Sequence, residues 1–216
     1  MEYFKSLTST ALVELINSTR KELYLCIPAL HPEIADAIIE LDYMQNHDKE
    51  KVRIKLLVDF DAQTFRQGYG DFHSVENLFK GEFEIRNLKD NRISFVISDN
   101  SGYYLFIESR SLIPADKETI NAVKIDSVSR IRLKNYFFPG EEEKDFQNEL
   151  ADAIIEESKI LDKPEELIPN NPASVLDLSI EMVKKLKTDL EKNPPLNPDY
   201  KRIVEFRHFS KNGQSS

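Results

Sequence analysis

Apolar positions recur at helical spacing through Ala11, Leu12, Leu15 and Ile16, directly after Ser9 and Thr10, whose hydroxyls suit a helix start. Leu23 to Ile27 is a short continuous apolar run closed by Pro28, which predicts a strand. His31-Pro32 then opens a second helix with Ile34, Ala37, Ile38 and Leu41 on one side, extending to about Gln45. Val52 to Phe60 alternates and then turns wholly apolar, the pattern of a strand covered on both faces of a mostly parallel sheet. Val75, Leu78 and Phe79 predict a short helix stopped by Gly81, and Phe83 to Arg86 a third strand. Ile93 to Ser98 and Tyr103 to Glu108 flank Asp99-Asn100-Ser101-Gly102, turn chemistry that joins antiparallel strands. Ala122 to Ile125 reads as a further strand, and Val128 to Phe138 as a helix in preference to a strand, its apolar positions fitting neither period cleanly.

Beyond Pro139-Gly140 the pattern changes. Glu141 to Leu161 reads as an acidic amphipathic helix carried by Phe146, Leu150, Ile154 and Leu161. Pro164, Pro169 and Pro172 interrupt the chain, and Ser174 to Leu190 forms another helix with Leu178, Met182, Leu186 and Leu190 on one side, ended by Asn193-Pro194-Pro195. Ile203 to Phe209 reads as an edge strand or an arm, and Lys211 to Ser216 as disordered. The fold class this predicts is α/β, a mixed sheet flanked by helices over residues 1–140, followed by a helical C-terminal extension over 141–216.

Composition narrows the function classes. Apolar residues at 40% and charged residues at 31% are the balance of a folded globular chain. The apolar runs are far shorter than the roughly 20 residues that cross a bilayer, so no membrane partner is expected, and the N-terminus lacks signal-peptide features, which predicts a cytoplasmic protein. The formal charge of −9 is concentrated after Gly140, where 17 acidic residues face 11 basic ones. Such a balance disfavours nucleic-acid binding spread over the whole surface, which depends on Lys and Arg neutralising phosphates. Cys26, the single cysteine, lies in an apolar run and reads as a small buried hydrophobe.

The spacing around the hairpin resembles that of phospholipase D-like proteins. There a strand carries His-x-Lys-x-x-x-x-Asp, a turn follows, a second strand ends near a Gly-Ser pair, and an Asn later leads into an apolar strand. Arg92-Ile93-Ser94-Phe95-Val96-Ile97-Ser98-Asp99 has the spacing, and Ile107-Glu108-Ser109 and Asn121-Ala122-Val123-Lys124-Ile125 resemble the later pieces. The resemblance covers about residues 8 to 150. It implies a single half-domain, and hence a homodimer, because active members join two copies of the motif across a two-fold interface. Of the key residues only Asp99 matches. Arg92 stands where the family's nucleophilic His would be and Ser94 where its phosphate-binding Lys would be, while Glu108 precedes Ser109 in place of glycine. A guanidinium stays protonated and has no accessible lone pair, so Arg92 can hold a phosphate but cannot attack one. The resemblance therefore implies a catalytically inactive binding or scaffolding module with no cofactor, its C-terminal helices available to a protein partner.

Three other constellations compete. Leu57-Val58-Asp59-Phe60-Asp61 puts two carboxylates at a strand end and is similar to the opening motif of haloacid dehalogenase-like phosphatases, where the first Asp is the nucleophile and a divalent metal bridges both. Ser98 would imitate that family's second motif, although Gln63 replaces the usual Thr or Val and no later paired-Asp segment follows. Such a site would make the chain a divergent phosphodiesterase or nuclease. Lys124, Arg130, Arg132 and Lys134, followed by Tyr136, Phe137 and Phe138, offer a nucleic-acid backbone strip with stacking aromatics, the non-catalytic alternative. The bland reading of those aromatics is core. His31, His47, His73 and His208 show no metal-ligand spacing, His47-Asp48-Lys49 reads as a solvated loop, and Gly68-Tyr69-Gly70 as a flexible one.

Overall fold

The computed structural model describes residues 3–45, 51–107, 121–139 and 174–195. Its elements follow in the order β1 (Phe4–Lys5), α1 (Ser9–Asn17), β2 (Glu22–Cys26), α2 (Pro32–Gln45), β3 (Arg53–Val58), α3 (Ala62–Arg66), α4 (Phe72–Lys80), β4 (Ile85–Asn87), β5 (Phe95–Ser98), β6 (Ser101–Leu105), β7 (Ala122–Lys124), α5 (Ser127–Phe137), β8 (Leu176–Asp177) and α6 (Ile180–Lys192). The strands form one mixed sheet in the order β1-β7-β6-β5-β2-β3-β4-β8. Only β2-β3 and β3-β4 pair in parallel, and every other pairing is antiparallel.

Strand alternation sends side chains to two cores. Leu23, Leu25, Leu56, Val58, Ile85 and Val96 pack on one face against residues of α1, α2, α3, α4 and α6. The other face carries Tyr24, Cys26, Leu57, Phe95 and Ile97, against which Phe137 and Phe138 from the end of α5 are buried. The rings of Tyr24 and Phe138 meet edge-on at 5.1 Å, and those of Phe95 and Phe137 lie 5.3 Å apart. The aromatics proposed for base stacking are thus core at positions 137 and 138, because their strand partners are apolar and face them. Tyr136 is partly buried in the same cluster.

Helix ends follow local chemistry. Thr8, Asp61, Asp126 and Ser179 each accept a backbone N–H of the first turn of α1, α3, α5 and α6 respectively. The cap at Ser179 moves the last helix later than its expected start at Ser174, since Leu176 and Asp177 pair with Asn87 and Arg86 as β8. Residues 174–195 therefore contribute a strand to the main sheet, and Leu178, Val183, Leu186 and Leu190 join its larger core. The apolar side of α6 is turned inward, which corrects the physical basis for a partner docking on that side of the helix.

Glu76 fastens this helix in place. Its buried carboxylate lies 3.1 Å from Lys187 Nζ on α6, 3.3 Å from Lys80 Nζ and 3.5 Å from His73 Nδ1. Burial alone would raise its pKa, but the bonds from Lys187, Lys80 and His73 outweigh that and hold it below the ordinary value. The expected helix over 141–161, the strand or arm over 203–209 and the terminal residues lie outside the described residues.

Candidate functional site

Parallel β2, β3 and β4 end together, and β5 begins at the same edge because it runs antiparallel to β2. In open α/β sheets this carboxyl edge is where ligands bind. Here β3 delivers Asp59, whose residue is 1% exposed. The segment after β4 returns Asp90, Asn91 and Arg92 to it. Asp59 Oδ2 accepts from Arg92 Nη1 at 2.7 Å and from the Thr64 hydroxyl at 2.9 Å, while Oδ1 accepts from the Asp90 N–H at 3.2 Å. Arg92 Nη1 also donates to the Asn91 carbonyl at 2.9 Å. The bond from Asp59 is the main reason the guanidinium is held protonated even more firmly than usual. The arginine side chain is nevertheless 57% exposed. Asp59 thus anchors a cation that faces outward, and among the described residues Nε and Nη2 of Arg92 make no hydrogen bond.

Neighbouring residues complete the edge. Asn91 is buried and folds its own turn, accepting the Ile93 N–H at 3.1 Å and donating to the Ile93 carbonyl at 2.9 Å and to Cys26 Sγ at 3.2 Å. Burial pushes the Cys26 thiol up to about 12, so it stays a protonated, inert group at neutral pH. The register Phe95↔Tyr104 continues outward, with the Leu105 N–H donating to the Ser94 carbonyl at 2.8 Å. Ile93 and Phe106, beyond the last paired positions of β5 and β6, are both exposed.

The glycine-containing loop is pinned to this edge, contrary to its reading as flexible. A Cβ on Gly70 would lie 2.6 Å from the Leu30 carbonyl oxygen and 2.7 Å from Ala29 Cβ, and the next residue, Asp71, donates its N–H to the same carbonyl at 2.8 Å. Gly70→Ala is expected to cost about 1–3 kcal/mol, as overpacking against backbone does, and this is checked by urea unfolding.

The expected site residues separate into three places. Arg92 and Ser94 share the carboxyl edge with Asp59, and Ser94 is buried there. Asp99 lies at the far end of β5, where its backbone takes a positive φ of 50° at the β5–β6 turn. It accepts the N–H groups of Arg20, Lys21 and Glu22 at 2.9, 2.8 and 3.0 Å. Burial would raise its pKa, but these three donors and Lys21 outweigh burial and hold it below the usual carboxylate range. Asn121 is also occupied structurally. Its amide accepts the Leu7 N–H at 2.7 Å and donates to the Leu7 carbonyl at 2.9 Å, holding the chain between β1 and α1. Ser109 lies outside the described residues.

The two-carboxylate alternative does not assemble. Asp61 caps α3 by accepting the Gln63 N–H at 2.8 Å, and Asp59 turns to Arg92. Ser98 sits opposite Leu23, at the other end of the sheet from Asp59, and shares a hydrogen bond with the Thr19 hydroxyl at 2.8 Å. No group of three or more His, Cys, Asp or Glu among the described residues is arranged to hold a metal ion. His31 opens α2, its carbonyl accepting the N–H groups of Ile34 and Ala35 at 3.1 Å each. The basic strip is partly neutralised, since Lys134 Nζ lies 2.6 Å from Glu22 Oε1 and over the Tyr24 ring. The stem of Arg130 crosses Gly102, Lys124 stands half-buried on β7, and Nε of Arg132 is buried without an acceptor among the described residues. The Asp59–Arg92 contact was not foreseen from the sequence. Its available signal was a lone Asp ending a buried strand and a lone Arg opening another.

No helix among the described residues is long and apolar enough to cross a membrane. No family model matches the chain, and no curated protein matches it. Among solved structures it is similar to TrmBL2, an archaeal chromatin protein, at 16% identity over 46% of this chain and 35% of that one, with a TM-score of 0.32. It is also similar to Nuc from Salmonella typhimurium, a phospholipase D family member, at 13% identity over 53% of this chain and 70% of Nuc, with a TM-score of 0.35. A third likeness is to phosphatidylserine synthase of Haemophilus influenzae Rd KW20, at 12% identity over 83% of this chain and 46% of the synthase, with a TM-score of 0.44. The chain thus spans 35% of the length of TrmBL2 and 46% of that of the synthase. Overlaps of this size are a partial likeness of fold and carry nothing about activity. The chain is an α/β protein with a mixed sheet flanked by helices, and its structural neighbours include a phospholipase D family member.

Proposed function

We propose that this chain is a catalytically inactive phospholipase D-like binding or scaffolding module that acts in the cytoplasm as a homodimer. The observation that carries the reading is Arg92, locked by the buried Asp59 at the carboxyl edge with its side chain facing outward. A reaction through a covalent intermediate needs a group with an available lone pair, and Arg92 has none. Asp59 is equally unsuited to attack, because its carboxylate is buried and accepts from three donors. Binding fits the edge better. Asp59, Asp61 and Asp90 offset Arg92 and Lys89 in the surrounding sequence, so the edge has no excess of positive charge to draw in a polyanion. A pre-oriented, outward-facing arginine is instead a residue type enriched at protein interfaces.

Light scattering on the purified chain tests this directly. A dimer is expected across micromolar concentrations, and Phe106→Asp is expected to convert it to a monomer with unchanged thermal unfolding. A monomeric parent chain would refute the homodimer. Hydrolysis of bis(p-nitrophenyl) phosphate should not exceed the buffer rate with or without divalent metal. Turnover abolished by Asp59→Asn would overturn the non-catalytic reading and restore the divergent phosphodiesterase.

A second reading, nucleic-acid contact along α5 without catalysis, is supported by the basic residues that α5 carries, Arg130, Arg132 and Lys134. It predicts binding of single-stranded DNA that weakens steeply with salt and is reduced by Arg132→Ala. Binding that is flat with salt removes it.

A further inference from the structure

The last helix is attached more lightly than the sheet beside it. Its apolar contacts, Leu178, Val183, Leu186 and Leu190, are each 7–9% exposed, whereas Leu23, Leu25, Leu56 and Val58 of the same core are at 0–1%. The strand that leads into it, β8, is two exposed residues at the edge of the sheet. Polar ties supply the rest: Asp177 to Arg86 on β4, Lys187 to Glu76 on α4, and Asp189 to Arg66 on α3. An element with few fully buried apolar groups and partly exposed ties opens at a lower free-energy cost than the sheet core does.

The tie at Arg66 leads to the carboxyl edge. Its Nε donates to the Asn193 carbonyl at 2.9 Å, and its Nη2 to the Asp189 carbonyl at 3.3 Å and to Asp189 Oδ2 at 2.9 Å. Arg66 thereby closes the C-terminal end of α6, reaching a carbonyl that the helix leaves over and placing a cation at the negative end of its dipole. α3 itself has only five residues, too few for a helix to persist without outside contacts. Phe65 anchors its middle in the core. Thr64 and Arg66 are two residues apart, about 200° around the helix, and so point to opposite sides. Thr64 is buried and donates to Asp59 Oδ2, the same oxygen that holds Arg92. α3 is thus bonded on one side to the pair that orients Arg92 and on the other to α6.

We infer that α6 is a latch on the Arg92 edge. While Arg66 holds its C-terminal end, α3 keeps Thr64 on Asp59 and Arg92 is presented outward in one orientation. When α6 lifts away as a unit, α3 loosens and Arg92 loses that orientation, so the edge is ready to bind only with the latch closed. The binding role rests on the edge being the surface proposed above, whereas the latch itself is measurable on the intact chain with no partner present.

Native-state amide hydrogen exchange on the full chain tests it. The amides of α6 and the Asp90 N–H, which bonds to Asp59 Oδ1, are expected to exchange through one shared opening. That opening should be more frequent than the one that frees the Ile27 N–H, bonded to the Leu57 carbonyl inside the sheet. Arg66→Ala should speed α6 and Asp90 by the same factor, roughly tenfold, as the loss of one charge-assisted hydrogen bond would, with Ile27 unchanged. Leu190→Ala, which loosens α6 while leaving Arg66 in place, should also move α6 and Asp90 together. In a Thr64→Val background, Arg66→Ala should no longer change Asp90. Exchange of α6 only at the rate of Ile27 overturns the latch, and faster α6 exchange with Asp90 unchanged overturns its hold on the Arg92 edge. An effect of Arg66→Ala on Asp90 that persists with Thr64→Val overturns the route through Thr64. A chain that proves monomeric in light scattering would remove the proposed homodimer and leave these exchange results standing.

Discussion

Asp59→Ala should destabilise the fold by about 3 kcal/mol, at the low end of the range for removing one partner of a buried ion pair because Arg92 keeps access to water. The loss has identifiable parts. The Thr64 hydroxyl, buried with its residue, and the Asp90 N–H both lose their acceptor, and the guanidinium loses the bond that orients it. Asp59→Asn keeps an oxygen for Thr64 and should cost less. Arg92→Ala leaves a buried carboxylate with only Thr64 and the Asp90 N–H and should cost about 2 kcal/mol. The double variant should be less destabilised than the sum of the two singles by about 1–2 kcal/mol, because neither half is then left unpaired. Urea unfolding of the four proteins measures this coupling. Strict additivity would mean that the 2.7 Å contact does not hold in solution.

Asp99→Ala is expected to cost about 2 kcal/mol. One carboxylate gathers three consecutive N–H groups at the start of β2, two of them at exposed positions where water replaces part of what is lost. The positive φ adds to the cost, since Asp and Asn tolerate that region better than Ala does. Asp99→Asn should therefore be milder, keeping one oxygen for Lys21 and Glu22, and Asp99→Gly should recover only the backbone component. The contribution also depends on pH. An aspartate titrates near 3.9 in an unfolded chain, and Asp99 is held lower in the native one. Its stabilisation is fully present above the unfolded value and disappears as pH falls through the lowered native value. Unfolding free energies of the parent chain and Asp99→Asn should accordingly converge on acidification. Parallel pH profiles would contradict the three-donor arrangement.

These two aspartates show how differently a motif and a fold treat the same residues. Spacing alone grouped Arg92, Ser94 and Asp99 as one constellation, yet a four-residue strand, Phe95–Ser98, stands between them. Asp99 serves the turn end and Arg92 the carboxyl end. Asp59 was grouped with Asp61, two residues away, and is instead paired with Arg92 across 33 positions. Neighbours in sequence at a strand end diverge because the backbone turns there, whereas strand order brings distant ends together.

What the amino-acid sequence determined by itself was α1, β2, α2, β3, α4, β4, the β5–β6 hairpin and β7, whereas α3 was not foreseen and the apolar positions of α5 fitted neither period cleanly. The foreseen elements follow from short-range physics: periodic apolar faces, Pro28 and Gly81 as stops, and Asp99-Asn100 at the turn. The tertiary structure alone decided the rest. β1 and β8 are two residues each, too short to carry a period, and exist because Lys5 pairs with Ala122 and Asp177 with Arg86. Phe137 and Phe138 became core once Tyr24 and Phe95 were placed beneath them, and Asn121 became a clamp on Leu7. Gly70 lies tight against Leu30 for the same reason. Local propensity is set within a few residues, while register, burial and ion pairing are set by which strands become neighbours, and that depends on closing loops tens of residues long.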